Sequence, residues 1–431
     1  MVARLARRRA VGVLWSIPGA VVAGISGYLA VLTASAWRGR AVRAGRRSLA
    51  GSTRRRFAVL IPAHDEERLI GSALDSLAAV RYPSELVAVH VVADNCSDAT
   101  VAIARRAGVE VHERIAPGAG GKGPALVWAW RRLVARGDTY DAVAILDADT
   151  TVNAEFFSAV DAELDAGAVV VQAYYSVRDA EQSPITAVRA AALAARHYLR
   201  PLGRVSLGGS AGLHGNGMVF AASVLSRHEW TSHLTEDIEL QLDLLLEGTK
   251  VAFAPGAVVS AEMPVTLAAS ETQHARWERG RLEMARRYVP VLTRRTLSTA
   301  GSERVACADA ALDLALPPLS VVVAITAAWS GLSLVRAGVR RRLGLSGAVA
   351  VAAVAAQAGY VLSALRMVEA GPAVYRSLLG APRIVGWKIS LWARQILERD
   401  EVAWVRTPRN PIGDSGSRES AGEPAPRTEA R

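Results

Sequence analysis

Cysteine is nearly absent from this chain: Cys96 and Cys307 are the two examples in 431 residues. Two cysteines cannot make a disulfide framework, and a reducing compartment is the simplest setting for them. Aromatic residues make up only 6% of the chain, yet apolar residues reach 51% and the mean hydropathy is +0.19. With so few rings, the apolar excess is alanine and valine gathered in continuous runs rather than an enlarged core. No zinc-finger spacing occurs, and no basic stretch is interleaved with base-stacking aromatics, which argues against nucleic acid as a partner. Lys and Arg number 51 against 40 Asp and Glu. That excess lies at the chain ends and beside the apolar runs, a placement that suits anionic lipid headgroups.

The first run, Ala10 to Trp37, carries no charge and is flanked by arginines on both sides. Ala34-Ser35-Ala36 resembles a signal-peptide cleavage site, but the run is about twice the length of a signal-peptide core. An uncleaved anchor is the better reading. Leu314 to Val335 and Leu343 to Leu365 are two more uncharged runs of spanning length, separated by Arg336, Arg340, Arg341 and Arg342. They predict a transmembrane hairpin. Four arginines precede the first span and eight follow it through Arg56, which places the next domain in the cytosol. The Arg-rich hairpin loop would then face outward against the same rule, and a hairpin that does not fully cross would reconcile the two.

Between the spans, short strands rich in valine, isoleucine and alanine alternate with amphipathic helical stretches. Phe57 to Ile61, Val87 to Ala93, Val109 to Val111, Ala142 to Leu146 and Val169 to Ala173 read as buried parallel strands. Helices are predicted over Glu66 to Val80, Asp98 to Ala107, Pro124 to Ala135 and Ala154 to Ala166. The class is α/β, and in such sheets ligands bind at the carboxyl ends of strands. Five segments follow: 1–50, a basic segment with its span; 51–300, the α/β domain; 301–370, the hairpin; 371–406, an interfacial amphipathic helix around Tyr375 to Arg399; and 407–431, a disordered tail.

Candidate chemistry gathers at those strand ends. Asp147-Ala148-Asp149 follows the fourth strand, where two carboxylates with substrate phosphates can hold Mg²⁺ or Mn²⁺. Taken alone the pair could equally cap the helix beginning near Asn153. Gly118 to Gly123 with Lys122 precedes a helix and could meet a phosphate or be a plain turn. Gly208-Gly209-Ser210-Ala211-Gly212 matches a nucleophile elbow, with Asp237 and His274 downstream. The strong preceding strand and following helix that an elbow needs are both missing. Thr235-Glu236-Asp237 opens a helical segment, as an N-cap or as a source of a general base. Gln273, Arg276 and Trp277 share one helix face, where arginine can bind a diphosphate and tryptophan a sugar ring.

In their order, Asp94, Asp147-Ala148-Asp149, Thr235-Glu236-Asp237 and Gln273-His274-Ala275-Arg276-Trp277 resemble glycosyltransferase family 2 over roughly residues 55 to 290. More narrowly they resemble the membrane-bound synthases of cellulose, chitin, hyaluronan and poly-N-acetylglucosamine. The resemblance implies a GT-A fold with a mostly parallel sheet, a nucleotide-sugar donor of the UDP-linked kind, and an inverting, metal-dependent transfer of a hexose or N-acetylhexosamine to a glycan or lipid acceptor. It assigns Asp237 as base; Ala63, Asp65, Asp94, Lys122, Asp147, Gln273, Arg276 and Trp277 to the donor; and Asp149 to the metal. Gly215, Asn216, Glu236 and Trp277 would lie near the acceptor, although the aromatic residues usual beside Asn216 are missing. It further implies a multi-pass cell-membrane enzyme with a cytosolic catalytic domain. Three spans are few for a channel, so export of a polymer would call for a partner. A sugar-nucleotide pyrophosphorylase shares half of such a fold, but its Gly-rich opening motif is absent. A catalytically silent membrane scaffold is the other alternative.

Overall fold

The computed structural model describes residues 2–46, 54–231, 233 and 235–397; the tail 407–431 lies outside them. Helix α1 spans Val2–Arg46. There follow β1 (Phe57–Ala63), α2 (Ile70–Ala78), β2 (Val87–Asp94), α3 (Thr100–Arg106), β3 (Glu110–Arg114), α4 (Lys122–Ala135), β4 (Ala142–Ile145), β5 (Thr150–Val152), α5 (Phe156–Asp165) and β6 (Val170–Val177). A helical arm comes next: α6 (Pro184–Leu193), a π-helical turn at Ala194–Leu199, and α7 (Arg200–Ser206). Then come β7 (Met218–Ala221), α8 (Ala222–Leu225), α9 (Glu236–Leu246) and β8 (Ala252–Ala261). The remainder is helical: α10 (Leu267–Ser298), α11 (Gly301–Ala315), α12 (Leu319–Val339), α13 (Leu345–Met367), α14 (Pro372–Ser377) and α15 (Ala381–Leu397).

The described residues form one sheet of eight strands in the order β3-β2-β1-β4-β7-β6-β8-β5. The first four run parallel, so their carboxyl ends share one edge. A mostly parallel sheet was the expectation and is what is found, the other half mixing the parallel β6–β8 pair with antiparallel pairs. β7 runs antiparallel to both β4 and β6, because the Gly215-Asn216-Gly217 turn delivers it beside the end of β4. β5, β7 and β8 are additions to the predicted strands. β5 and β7 are too short to show a period, and β8 contains Pro255-Gly256, which reads as a turn. A bulge absorbs that dipeptide: β6 pairs Ala173 with Ala254 and then Tyr174 with Val258.

Strand alternation divides β1 between two cores. Phe57, Val59 and Ile61 point to a layer closed by α2 and α5, where Phe57 and Phe157 stack with ring centroids 5.0 Å apart. Ala58 and Leu60 point to the opposite layer, which contains Leu29 and Leu32 of α1 and Tyr360 and Leu365 of α13. Each such large apolar side chain contributes about 1.5–3 kcal/mol on burial. The apolar helices therefore share a core with the sheet rather than merely tethering it.

Three described helices are long and apolar enough to cross a membrane: Ser16–Arg43 within α1, Leu319–Val339 and Leu345–Met367. The second begins later than the Leu314 expected from hydropathy. Pro317-Pro318 supplies no amide hydrogens and forces Leu316 to extended backbone, ending α11 at Ala315. Residues 301–315, expected with the hairpin, instead pack their Ala306, Cys307 and Ala310 against Leu242 of α9 and Met284 of α10. Of the segment 371–406 expected to be interfacial, the described part comprises α14, a 3₁₀ turn at Leu378–Gly380, and α15, and residues 398–406 lie outside the described residues.

Polar contacts lock the helices together and to the domain. Gln357 donates to Ser26 Oγ at 3.1 Å and Thr326 Oγ1 at 2.6 Å, joining all three apolar helices. Tyr360 donates to the Ala195 carbonyl at 2.6 Å, and Tyr28 to Asp309 at 2.9 Å. Arg204 meets Asp309 at 2.5 Å and Arg200 meets Asp313 at 2.7 Å, so α7 is pinned to α11. Against α1, α7 approaches backbone to backbone: a Cβ on Gly203 would stand 2.5 Å from the Leu32 carbonyl oxygen. Gly203→Ala should therefore cost about 1–3 kcal/mol as an overpacking change and lower the melting temperature in detergent. Gly24→Ala, where a Cβ meets nothing within 4 Å, should leave it unchanged.

Candidate active site

The carboxyl edge of β4 is built by a turn from elsewhere in the chain. The Asp147 amide donates to Asn216 Oδ1 at 3.2 Å, and Asn216 Nδ2 donates to Thr150 Oγ1 at 2.7 Å. Gln172 of β6 donates to the Asn216 carbonyl at 2.8 Å and accepts the His214 amide at 3.0 Å. Asn216 and Gln172 are fully buried, so these bonds form away from competing water. The Asn216 side chain fixes the backbone from which Asp147 and Asp149 project. Strand β5 separates those two acids from α5, whose cap position makes no side-chain hydrogen bond, so they are not helix caps.

Lys122 is the first residue of α4, and its ammonium reaches both the Asp147 carboxylate and the Gly215 carbonyl. Burial disfavours that charge, but Asp147, Glu236 and Asp237 outweigh it and hold the lysine above its usual range. Glu236 and Asp237 open α9, where Thr235 makes no side-chain cap bond. Gly215, at φ +75°, lets its backbone come so close that a Cβ there would lie 3.3 Å from Asp237 Oδ2. Burial, then the neighbouring Asp237 charge, pushes Glu236 up to about 7 against the pull of Lys122. Asp237 is raised by burial too, opposed by the Ile238 amide and Lys122.

Helix α10 supplies Gln273, Arg276 and Trp277; of Gln273 only the backbone is described. Burial lowers the Arg276 guanidinium, while Glu236 and Asp147 pull it back, so this arginine faces both acids. Trp277 stands edge-on to His274 with centroids 5.4 Å apart. Asp147, Glu236, Asp237, Lys122 and Arg276 thus form one cluster of interacting charges, and Asp149 projects from the same strand end. The hydroxyl of Tyr175, hydrogen-bonded to Asn216, is pushed up by burial and by the charges of Asp149 and Asp147.

Ala63, Asp65 and Asp94 form a neighbouring group at the ends of β1 and β2. Asp65, at φ +53°, accepts the Ser97 amide at 2.7 Å and helps shape that loop. Asp94 is buried, paired with Arg114 at 2.5 Å, and accepts the Gly121 amide at 3.0 Å. It therefore positions the residue that precedes Lys122. The elbow-like Ser210 is also buried and accepts the Val251 amide at 3.0 Å. No helix follows it, and His274 is engaged with Arg189 and Lys388, so a serine hydrolase site is excluded.

Gln172, Thr150 and Tyr175 escaped sequence reasoning. Gln172 left one signal, an amide inside an otherwise apolar strand, which must find buried partners. Asn216→Ala strips a partner from the Asp147 amide and the Thr150 hydroxyl at once and should cost about 1–3 kcal/mol in urea unfolding.

Residues 54–280 match the family described as Glycosyltransferase like family 2. Among curated proteins the chain is 27% identical over 236 residues to the probable glycosyltransferase YdaM of Bacillus subtilis (strain 168), covering 52% of this chain and 55% of that one. It is 28% identical over 232 residues to the beta-monoglucosyldiacylglycerol synthase of Synechocystis sp. (strain ATCC 27184 / PCC 6803 / Kazusa), covering 52% and 47%. The chain spans about half the length of the curated relatives it matches. Among solved structures, the mannosyltransferase PcManGT from Pyrobaculum calidifontis, in complex with GDP-Man and Mn²⁺, aligns at TM-score 0.47 and 18% identity over 80% of this chain and 97% of that one. The glucosyl-3-phosphoglycerate synthase from Mycobacterium tuberculosis, with Mn²⁺, UDP and phosphoglyceric acid, aligns at 0.37 and 26% over 49% and 72%. With more than half of its residues inside that match, and with the α/β sheet described above, the protein belongs to glycosyltransferase family 2 and has a GT-A-like fold.

Proposed function

We propose that this glycosyltransferase is a membrane-anchored, inverting, metal-dependent enzyme that moves a hexose or N-acetylhexosamine from a nucleotide sugar to a glycan or lipid acceptor. The observation that carries the reading is the convergence of Asp147, Glu236 and Asp237 with Lys122 and Arg276 at one sheet edge. Hard carboxylate oxygens at Asp147 and Asp149 suit Mg²⁺ or Mn²⁺, which keeps waters and takes one or two protein carboxylates beside substrate phosphates. When bound, such an ion supplies positive charge to the departing nucleoside diphosphate.

The chain's own groups do the rest. Lys122 and Arg276 add positive charge where negative charge develops on the leaving group. Asp237 takes the proton of the acceptor hydroxyl as that oxygen attacks the anomeric carbon from the face opposite the diphosphate. Its raised pKa strengthens it as a base, and the backbone amide of Ile238 keeps it the better-supported anion of the pair. Glu236, protonated part of the time near neutrality, limits the repulsion between them. Trp277 offers an apolar face to a sugar ring. Ala63, Asp65 and Asp94 complete the nucleoside side.

A lipid acceptor has particular support. The apolar helices share a core with the catalytic sheet, and the Synechocystis relative is named for a diacylglycerol glycolipid. Membership of the polymer-synthase group rests on the order of the motifs, and the domain is placed on the cytosolic side because its donor is there.

Asp237→Asn should keep nucleotide affinity but lose transfer by about 10²–10⁴-fold. Equal losses of binding and rate would make Asp237 a donor ligand instead. Asp149→Ala, or EDTA on the wild type, should abolish turnover, and undiminished rates in either case would defeat the metal assignment. A base must be ionised to work, so the wild-type rate should fall as pH drops through about 7, where the Glu236 and Asp237 pair takes up a proton. Glu236→Gln removes one of the two charges and should move that limb to lower pH. For topology, Cys96 and Cys307 are replaced by serine and single cysteines introduced. Ser226→Cys should resist impermeant thiol reagents in intact cells. Gly338→Cys should label if the hairpin crosses fully and stay protected if it does not.

A further inference from the structure

We infer that His90, His112 and Glu110 form a second metal site, for a zinc-class divalent cation, at the outer edge of the sheet and apart from the acid pocket. β2 and β3 pair with His90 opposite Glu110 and Val92 opposite His112. Residues two apart on one strand share a face, so all three side chains point the same way. Their donor atoms converge. His90 Nδ1 lies 3.2 Å from His112 Nε2 and 3.3 Å from Glu110 Oε2, and His112 Nε2 lies 3.5 Å from Glu110 Oε1. A tetrahedral ion with nitrogens at 2.0–2.1 Å holds them about 3.3 Å apart, so the observed triangle needs little adjustment.

The surroundings are those of a ligand set. Both imidazoles are buried, and a metal ion would take the place of the hydrogen bond that now joins their facing nitrogens. Tyr140 Oη lies 3.0 Å from His90 Nε2, a contact that holds the ring with Nδ1 facing the other two groups. Metal-bound histidines are oriented by such outer partners. Glu110 is half-exposed and gives the ion a path in from solvent. Its carboxylate is also bonded by Arg136, which keeps Asp138 as a second acid at 3.1 Å when Glu110 turns to an ion. Two imidazoles and one carboxylate favour zinc over the magnesium or manganese that suits the all-carboxylate site. An ion here would cross-link β2 to β3, the strands whose ends carry the Asp94 and Arg114 pair.

This site does not depend on the reading of the acid pocket, and its test keeps them separate. Full-length protein in detergent is stripped with chelator, supplied with excess Mg²⁺, titrated with Zn²⁺ or Co²⁺, desalted and assayed for bound metal. One zinc per chain, a higher melting temperature and the intense visible bands of four-coordinate Co²⁺ are expected. Glu110→Gln, at a half-exposed position that tolerates change, should weaken zinc at least tenfold. His112→Ala should abolish it, while Asp149→Ala should leave it intact. No zinc above background, weak six-coordinate Co²⁺ bands, or binding that survives Glu110→Gln but is lost in Asp149→Ala would overturn the site. Should His112→Ala fail to fold, the wild-type Co²⁺ spectrum and Glu110→Gln decide.

Discussion

Four carboxylates share one corner of this protein, and neutralising them is the constraint around which the site is built. Asp147 and Asp149 arrive from β4, Glu236 and Asp237 from α9, and like charges brought together in a buried place cannot all ionise unaided. Lys122 bridges the two sources through Asp147 and the Gly215 carbonyl, and Arg276 faces Asp147 and Glu236 from a third direction. Glu236 gives up part of its charge near neutrality. Burial, with the Asp147 charge, raises Asp237 against the pull of Lys122 and the Ile238 amide.

The apolar helices are not a detachable leash. One face of the sheet ends in a core that includes Leu29 and Leu32 from α1 and Tyr360 and Leu365 from α13. The π-helical turn and α7 lie between them, the first holding Tyr360 through the Ala195 carbonyl and the second crossing α1 at Gly203. His197 of that turn stacks on His214 with centroids 4.2 Å apart, and His214 adjoins the Gly215-Asn216 turn that positions the acids. π-turns of this kind are frequent at functional sites. A path of packed side chains thus runs from the apolar helices to the Gly215-Asn216 turn.

Several local motifs carried two readings that only neighbours could separate. Asp147-Ala148-Asp149 could cap a helix until β5 is seen to intervene, and Ser210 looks like a nucleophile until Val251 is found donating to it. Asn216, placed near the acceptor by the family resemblance alone, is a buried amide bonded to Thr150. The difference is burial, which spacing along a chain does not encode.

The sequence by itself determined the class of the sheet, the apolar helices and the order of the motifs, because those rest on local period and composition. Valine-rich runs make buried strands, and long uncharged runs make helices that can cross a membrane, wherever they occur. Tertiary structure alone decided the rest. β7 reverses direction because a distant turn places it beside β4, and β8 exists because a bulge makes room for Pro255-Gly256. α11 leaves the hairpin for the domain because Pro317-Pro318 breaks the helix where hydropathy is still high. His90 and His112, unremarked in the sequence, meet only through the register of β2 on β3. Such contacts join residues far apart in the chain, so their free energy depends on the assembled packing and leaves no periodic trace to read.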